Sequence, residues 1–241
     1  MRGYCDLHCH FIPGIDDGAP TLAEAERLLR GLFSLGFDTV IATPHMRPGM
    51  FDNQRGGLIA AYERARAGLR DGADLPALAL SSEHYFDSVV FARLLAGEGL
   101  PYPGEKAVLL EFYEQNFPVA IDRQLGELRR RGLLPVIAHP ERYRCLWRSP
   151  ETLERLVDAG AAALLDTAAL VGKYGRAPED CAEELLERGL YHAACSDAHR
   201  ASDVELVAAG MRRIEELYGA EEVDYLFRVG PQALLAGTRA D

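Results

Sequence analysis

A chain of 241 residues is long enough to bury one large hydrophobic core, and α/β barrels of this length usually form a single domain. Apolar residues make up 48% of the sequence and charged residues 26%, a composition typical of globular proteins and not of disordered or membrane-spanning chains. The formal net charge of −11 argues against nucleic acid as a partner, because binding its phosphates needs clustered Lys and Arg.

The chain alternates between apolar, β-rich segments and segments of helical period, which is typical of βα units around a parallel sheet. Seven strands are predicted: Tyr4–His10, Thr39–His45, Ala77–His84, Ala107–Tyr113, Leu134–Glu141, Ala163–Thr167 and Tyr191–His199. The first helix is predicted to begin at a capping box formed by Thr21 and Glu24. Seven such units predict an α/β fold similar to an incomplete TIM barrel, with parallel strands and outer helices. No internal boundary interrupts the pattern, so one domain is expected over residues 1–241.

The first residues lack the apolar stretch of a secretory signal, and no run of about 18 apolar residues follows. We therefore expect a cytoplasmic location and no membrane insertion. The five cysteines are odd in number and include no C-x-x-C pair, which favours reduced thiols. None is followed by arginine six positions later, so a cysteine-based phosphatase mechanism is not expected. Cys9 is expected to face away from its histidine neighbours.

Polar residues gather at the carboxyl ends of the predicted strands, where the active sites of barrel enzymes lie. The candidate metal ligands are His8, His10, His45, Glu83, Glu111, His139, Asp197 and His199, with Asp17 from the first loop. The i, i+2 spacing of His8 and His10 puts both side chains on one strand face, as two ligands of one cluster require. Imidazoles with carboxylates suit Zn, Mn or Fe. His84 and His192 are not expected to bind metal.

Several motifs resemble the metal-dependent protein-tyrosine phosphatases of the PHP (polymerase and histidinol phosphatase) family, of the bacterial capsule and exopolysaccharide type. The similar segments are Asp6–His10, Pro13–Ala19, Ala42–His45, His139–Tyr143, Gly172–Gly175 and Cys195–His199. The resemblance spans nearly the whole chain. It implies a distorted (β/α)7 TIM-like barrel with two or three divalent metal ions (Mn, Fe or Zn).

The resemblance also implies how three ions would divide the ligands. The first would take His8, His10, Glu83 and Asp197, the second Glu83, Glu111 and His139, and the third Asp17, His45 and His199. Glu83 would then bridge two ions, and a water between them would become a hydroxide able to attack phosphorus. Asp6 is expected to orient a ligand histidine.

The residues expected to act in catalysis are Arg142, Arg200 and Asp197. Arg142, just beyond His139, is expected to hold the phosphate through its planar donor fork. Relatives of this branch tend to carry a second phosphate-contacting arginine a few residues beyond the final histidine. Here Ala201–Val204 follows instead, and Arg200 is the expected substitute.

The expected function is hydrolysis of phosphotyrosine in proteins, with a bacterial tyrosine kinase of polysaccharide synthesis as the partner. The alternative is a PHP-family phosphatase of a small metabolite such as histidinol phosphate. An amidohydrolase is disfavoured, because neither Lys106 nor Lys173 ends a predicted strand. A non-catalytic metal-binding domain is also disfavoured by the complete ligand set.

The Pro/Gly-containing loop at residues 46–53 is interpreted either as a substrate-contact lid or as a plain connector. The residues expected to rim the site and stack against a phosphotyrosine ring are Met46, Met50, Phe51, Phe86, Tyr113, Phe117 and Tyr143.

Overall fold

The computed structural model describes residues 3–69, 72 and 74–240. The strands are β1 (Tyr4–Cys9), β2 (Phe37–Ala42), β3 (His45–Met46), β4 (Ala77–Leu80), β5 (Glu83–Tyr85), β6 (Ala107–Glu111), β7 (Leu134–Ala138), β8 (Ala162–Asp166) and β9 (Ala193–Cys195). The helices are α1 (Leu22–Leu35), α2 (Arg55–Gly68), α3 (Ser88–Leu95), α4 (Ile121–Arg130), α5 (Glu151–Asp158), α6 (Arg176–Glu187), α7 (Asp203–Tyr218), α8 (Ala220–Asp224) and α9 (Gly230–Leu235). The predicted α/β fold with parallel strands and flanking helices is confirmed.

The strands form two parallel sheets, in the orders β1-β2-β4 and β3-β5-β6-β7-β8-β9. Two of the seven predicted strands are each broken in two, at residues 43–44 and 81–82. Pro44 has no backbone N–H to donate to a neighbouring strand, which explains the first break. Hydrogen bonds from the backbone N–H of Ser81 to the carbonyl of Ala42 and from Glu83 N–H to Pro44 O continue the pairing across both breaks.

The first and last strands approach each other directly. Cys9 and Ala198 form a parallel bridge. The N–H of His10 donates to the carbonyl of Ala198 at 2.9 Å, and the N–H of Asp197 donates to the carbonyl of His8 at 3.0 Å. These contacts bring residues 8–10 and 197–199 together although nearly the whole chain separates them.

Helix α1 is linked by a hydrogen bond to the segment that follows the last strand. The hydroxyl of Thr21 accepts the backbone N–H of Glu24 at 3.2 Å, as the capping box predicts, and Gly36 ends the helix at φ 104°. The carboxylate of Glu24 does not complete the box. It accepts the backbone N–H of Ala201 at 2.8 Å, and so links α1 to the segment that follows the last strand.

His192, which precedes β9, should make stability fall in mild acid. Burial, and then the charge of Arg239, lower its pKa to about 4, whereas the unfolded residue titrates near 6.5. Above pH 6.5 neither state binds the proton, and between pH 6.5 and 4 only the unfolded state does. We expect the free energy of unfolding to lose about 2 kcal/mol from this residue at pH 5. Urea titrations at pH 7 and 5 should give a smaller loss for His192→Gln; an unchanged loss would contradict the assignment.

Candidate metal centre

The nine predicted ligand residues lie together at the carboxyl ends of the strands. Among the described residues, four groups of side chains each bring their ligand atoms within 4.8 Å of one another. The groups are His8, His10 and Asp197; His8, Glu83 and His139; His45, Glu83 and Glu111; and His10, Asp17, His45 and His199. All of these side chains except those of Asp17 and His199 are buried.

Glu83 occupies the middle of the centre. Its Oε2 lies 2.9 Å from His45 Nδ1, 3.3 Å from His8 Nε2 and 3.4 Å from His10 Nε2. Its Oε1 lies 2.8 Å from His139 Nε2. One carboxylate therefore contacts four imidazoles that come from three different strand ends. Such a carboxylate is suited to bridge two cations.

The grouping differs in several respects from the division that the family resemblance implies, since Glu83 is outside the group of His8, His10 and Asp197, and His10 also joins the group of Asp17. His139 shares a group with Glu83 and His8, whereas Glu111 shares one with Glu83 and His45. The second ion was expected to take His139 and Glu111 together. In the third group, Asp17 Oδ1 lies 3.4 Å from His45 Nε2 and 3.5 Å from His199 Nε2.

The donor atoms fit divalent cations. The Nε2 atoms of His8 and His10 face each other at 3.0 Å, with Asp197 Oδ1 at 3.3 and 3.5 Å. Two neutral ring nitrogens tolerate this approach only if a proton or a cation lies between their lone pairs. Glu111 Oε2 is buried and accepts no hydrogen bond from a described residue. Leaving a carboxylate oxygen in that state is costly, and a cation would remove the cost.

The candidate ligands His45 and Glu111 have raised pKa values, so protons are favoured in the centre when no metal is bound. Burial lowers the pKa of His45, but the charge of Glu83, the hydrogen bonds to Asp17 and Glu83 and the charge of Glu111 together raise it to about 11. Burial, and then the charge of Glu83, raise the pKa of Glu111 to about 7. Metal ligands must lose these protons, so protons and metal ions would compete for the same atoms.

Two ligand residues have an unusual backbone. His139 follows β7 with φ 32°, and Asp197 follows β9 with φ 41°. Residues other than glycine rarely adopt this left-handed conformation, and such strain concentrates at functional sites. His139 contacts Glu83 directly, and Asp197 contacts His8.

Asp16 contacts the ring of a candidate ligand histidine, whereas the predicted residue, Asp6, accepts from His8 only its backbone N–H, at 3.3 Å. Asp6 accepts the N–H and the hydroxyl of Ser196 at 2.9 and 2.5 Å, and so joins the first strand to the last. Asp16 Oδ2 lies 2.8 Å from His10 Nδ1 and also accepts the backbone N–H of His45 at 3.2 Å. The available signal was its position in the first loop, immediately before Asp17.

The two predicted arginines have different surroundings. Arg142 reaches the centre, where its Nη1 donates to Asp197 Oδ2 at 2.7 Å and its guanidinium lies 4.6 Å from the ring centroid of Tyr174. Arg200 Nη1 instead donates to the backbone carbonyls of Asp17, Gly18 and His199. Arg200 therefore supports the first loop, and this geometry argues against the expected role as a phosphate donor.

A cavity of about 140 Å³ opens onto the centre. Its lining includes Arg142, Arg47, Met50 and Phe51. Met50 is 60% exposed, and the ring of Phe51 stacks on His45 with centroids 5.1 Å apart. The predicted rim was too wide, because Met46, Phe86 and Tyr143 are buried in the hydrophobic core and Phe117 packs against it. Tyr113, 58% exposed, remains at the surface.

The sequence model of the family described as "Capsular polysaccharide synthesis, CpsB/CapC" matches residues 4–236. The chain belongs to the CpsB/CapC family. It is 29% identical over 231 residues to tyrosine-protein phosphatase YwqE of Bacillus subtilis (strain 168), covering 95% of this chain and 91% of that protein. It is 26% identical to tyrosine-protein phosphatase CpsB of Streptococcus pneumoniae, covering 95% and 97% of the two chains.

A solved structure agrees with these relatives. This CpsB/CapC chain is similar, with a TM-score of 0.89 and 28% identity, to a chain from the crystal structures of YwqE from Bacillus subtilis and CpsB from Streptococcus pneumoniae, described as unique metal-dependent tyrosine phosphatases. The likeness covers 98% of this chain and 96% of the other. The match confirms the resemblance seen in the sequence motifs. Among the described residues, none of the helices is long and apolar enough to cross a membrane.

His84 and the five cysteines of this CpsB/CapC chain lie outside the four groups of candidate ligands. Both ring nitrogens of His84 are bonded to backbone groups, those of Leu109 and Leu100. Burial raises the pKa of Cys5 to about 12, and the pKa of Cys9 lies well above its usual value for the same reason. The three remaining cysteines, Cys145, Cys181 and Cys195, also have raised pKa values. None of these thiols is poised to act as a thiolate nucleophile.

Proposed function

We propose that residues 1–241 form one metal-dependent phosphatase domain that hydrolyses phosphotyrosine in proteins. Two or three divalent ions (Mn, Fe or Zn) would be held by the nine ligand residues. The observation that carries the proposal is the convergence of five imidazoles and four carboxylates in one cluster, with Glu83 in its middle, beside an open cavity with an arginine at its edge. The names of the family's relatives support the same activity.

We also propose that the two sheets are parts of one distorted (β/α)7 TIM-like barrel. The bridge between Cys9 and Ala198 supports closure, because it joins the first strand segment to the last. Closure would explain why ligands from residues 8–10 and 197–199 belong to one centre.

The chain's own groups would bind and orient the substrate. Four ligand carboxylates against three divalent ions leave a formal surplus of about two positive charges, which suits an anionic phosphoryl group. Bound metal would acidify a water molecule and polarise a phosphoryl oxygen. Arg142 would hold phosphoryl oxygens through the donors that Asp197 does not use. Asp16 fixes the tautomer and orientation of His10.

The shape of the cavity favours phosphotyrosine over phosphoserine. Seven of the nine candidate ligand residues are buried, whereas Met50 on the cavity's lining is exposed. A phosphotyrosine carries its phosphate far enough from the backbone to reach buried ligands, and its ring could pack on apolar side chains. A phosphoserine would fall short.

The partner would be a phosphotyrosyl protein, specifically a bacterial tyrosine kinase of polysaccharide synthesis acting in the cytoplasm. The family's description as a capsular polysaccharide synthesis family supports this assignment.

The test compares rates for four substrates of the metal-reconstituted protein: a phosphotyrosyl peptide, a phosphoseryl peptide, histidinol phosphate and a phosphodiester. We expect the phosphotyrosyl peptide to give the highest kcat/KM. A clear preference for histidinol phosphate would instead favour a small-metabolite phosphatase with the same metal centre.

Two treatments should separate metal from thiol chemistry. A chelator should abolish the activity, and Mn²⁺ or Fe²⁺ should restore it. Thiol alkylation should leave most of the activity, since the cysteines have raised pKa values and four of the five are buried. Loss of activity on alkylation alone would contradict the proposed mechanism.

A further inference from the structure

The loop at residues 46–53 has a defined structure. Arg47 and Phe51 exchange backbone hydrogen bonds of 3.1 and 2.8 Å, and Gly49 turns the chain at φ 83°. The side-chain amide of Asn53 donates to the carbonyls of Ile15 and His45, both at 2.9 Å. The loop is therefore fastened to a ligand residue of the centre. This geometry favours a built substrate-contact element over a plain connector.

Arg47 extends from this loop into the cavity that opens onto the metal centre. Its guanidinium carbon lies 4.1 Å from the ring centroid of Tyr85, which fixes the plane of the donor fork. Its Nη1 lies 3.8 Å from Glu111 Oε1, too far for a hydrogen bond. The guanidinium makes no hydrogen bond to any residue within 3–69, 72 or 74–240. Its side chain is 28% exposed and lines the cavity, so a ligand in the cavity can reach it.

Two other cationic side chains line a neighbouring cavity, and each already has a partner. Arg200 is bound to three backbone carbonyls, and Lys173 Nζ lies 3.7 Å from Asp203 Oδ1 outside this cavity. Among the cavity's described lining residues, the arginines are Arg47 and Arg142. They come from segments that follow different strands, β3 and β7, so they can approach one phosphoryl group independently.

We propose that Arg47 is the second phosphate-contacting arginine of this protein, in place of the one missing after His199. The inference rests on the proposed phosphatase function. Glu111 belongs to the proposed metal ligands, so its charge would be drawn to metal and Arg47 would be free to donate to phosphoryl oxygens. Because Met50 and Phe51 belong to the same loop, the residue that holds the phosphate would also position the apolar surface for the tyrosyl ring.

The test measures binding of inorganic phosphate to the metal-loaded protein by calorimetry, together with KM for a phosphotyrosyl peptide. Arg47→Ala should weaken phosphate binding by about tenfold or more, the effect of losing a charged hydrogen bond. Arg47→Lys should restore only part of it, because an ammonium lacks the planar fork. Arg66→Ala, which removes an exposed arginine of α2, should bind phosphate like the wild type.

Metal content by elemental analysis separates direct contact from an effect through Glu111. Weaker phosphate binding with unchanged metal content supports the proposal. Unchanged phosphate binding overturns it, and so does weaker binding accompanied by metal loss. If the wild type hydrolyses phosphotyrosine but Arg47→Ala binds phosphate normally, only the Arg47 assignment fails. If the wild type does not hydrolyse phosphotyrosine but Arg47→Ala binds phosphate more weakly, only the proposed function fails.

Discussion

Replacing Glu83 by glutamine should lower phosphotyrosine hydrolysis at least about a hundredfold and reduce the bound metal per chain. Glutamine keeps the shape of the side chain but removes its charge. Glu83 is 1% exposed, and its two oxygens contact four imidazoles at 2.8 to 3.4 Å. Burial opposes ionisation of this carboxyl, yet the charges of His8 and His45 hold its pKa well below the usual range. An amide cannot replace a carboxylate that this many partners require to be ionised.

The matched variant is Asp17→Asn, which makes the same chemical change at the edge of the centre. Asp17 is 57% exposed and contacts only His45 and His199 among the ligands, at 3.4 and 3.5 Å. We expect a loss nearer tenfold. Glu127→Gln in α4, an exposed carboxylate paired with Arg130, should behave as wild type. Equal losses for Glu83→Gln and Asp17→Asn, or full metal content in Glu83→Gln, would contradict the bridging role of Glu83.

The convergence of the candidate ligands could be predicted from sequence because two regularities act together. Alternating βα units make the strands parallel, and parallel strands place their carboxyl ends on one side. Polar residues such as His8, His139 and Asp197 at those ends must then converge. This convergence requires only the order of strands and helices. Errors in strand boundaries, such as the breaks at residues 43–44 and 81–82, therefore do not affect it.

Details that depend on side-chain partners could not be predicted in the same way. Asp6 and Asp16 are both acids beside ligand residues, but the first strand turns Asp6 toward Ser196, whereas the loop turns Asp16 toward His10. Likewise Arg200 directly follows the last candidate ligand, yet its Nη1 donates to the backbone carbonyls of Asp17, Gly18 and His199. The apolar rim was overestimated because residues such as Met46 and Tyr143 are also good core residues. Composition does not distinguish a buried face from an exposed one.

Replacing Arg142 by alanine should lower kcat/KM for a phosphotyrosyl peptide by about a hundredfold to a thousandfold, through a lower kcat and a higher KM. The guanidinium packs on Tyr174 and donates one hydrogen bond to Asp197 at 2.7 Å. Burial disfavours its charge, but Asp197 and the other acidic groups around it together raise the pKa of Arg142 above its usual value. A permanently charged, oriented fork can hold the phosphoryl oxygens in the ground state and stabilise the charge that develops during transfer.

Arg142→Lys separates charge from geometry. If the planar fork matters, lysine should recover only a small part of the lost activity, because an ammonium cannot make two parallel hydrogen bonds. Metal content must be measured in both variants, since Asp197 is a proposed ligand and loses its ion pair with Arg142. Weak activity with intact metal content would support direct phosphate contact. Wild-type KM and kcat in Arg142→Ala would mean that the Arg142–Asp197 pair only stabilises the fold, and that phosphate is captured by the metals with other cavity residues.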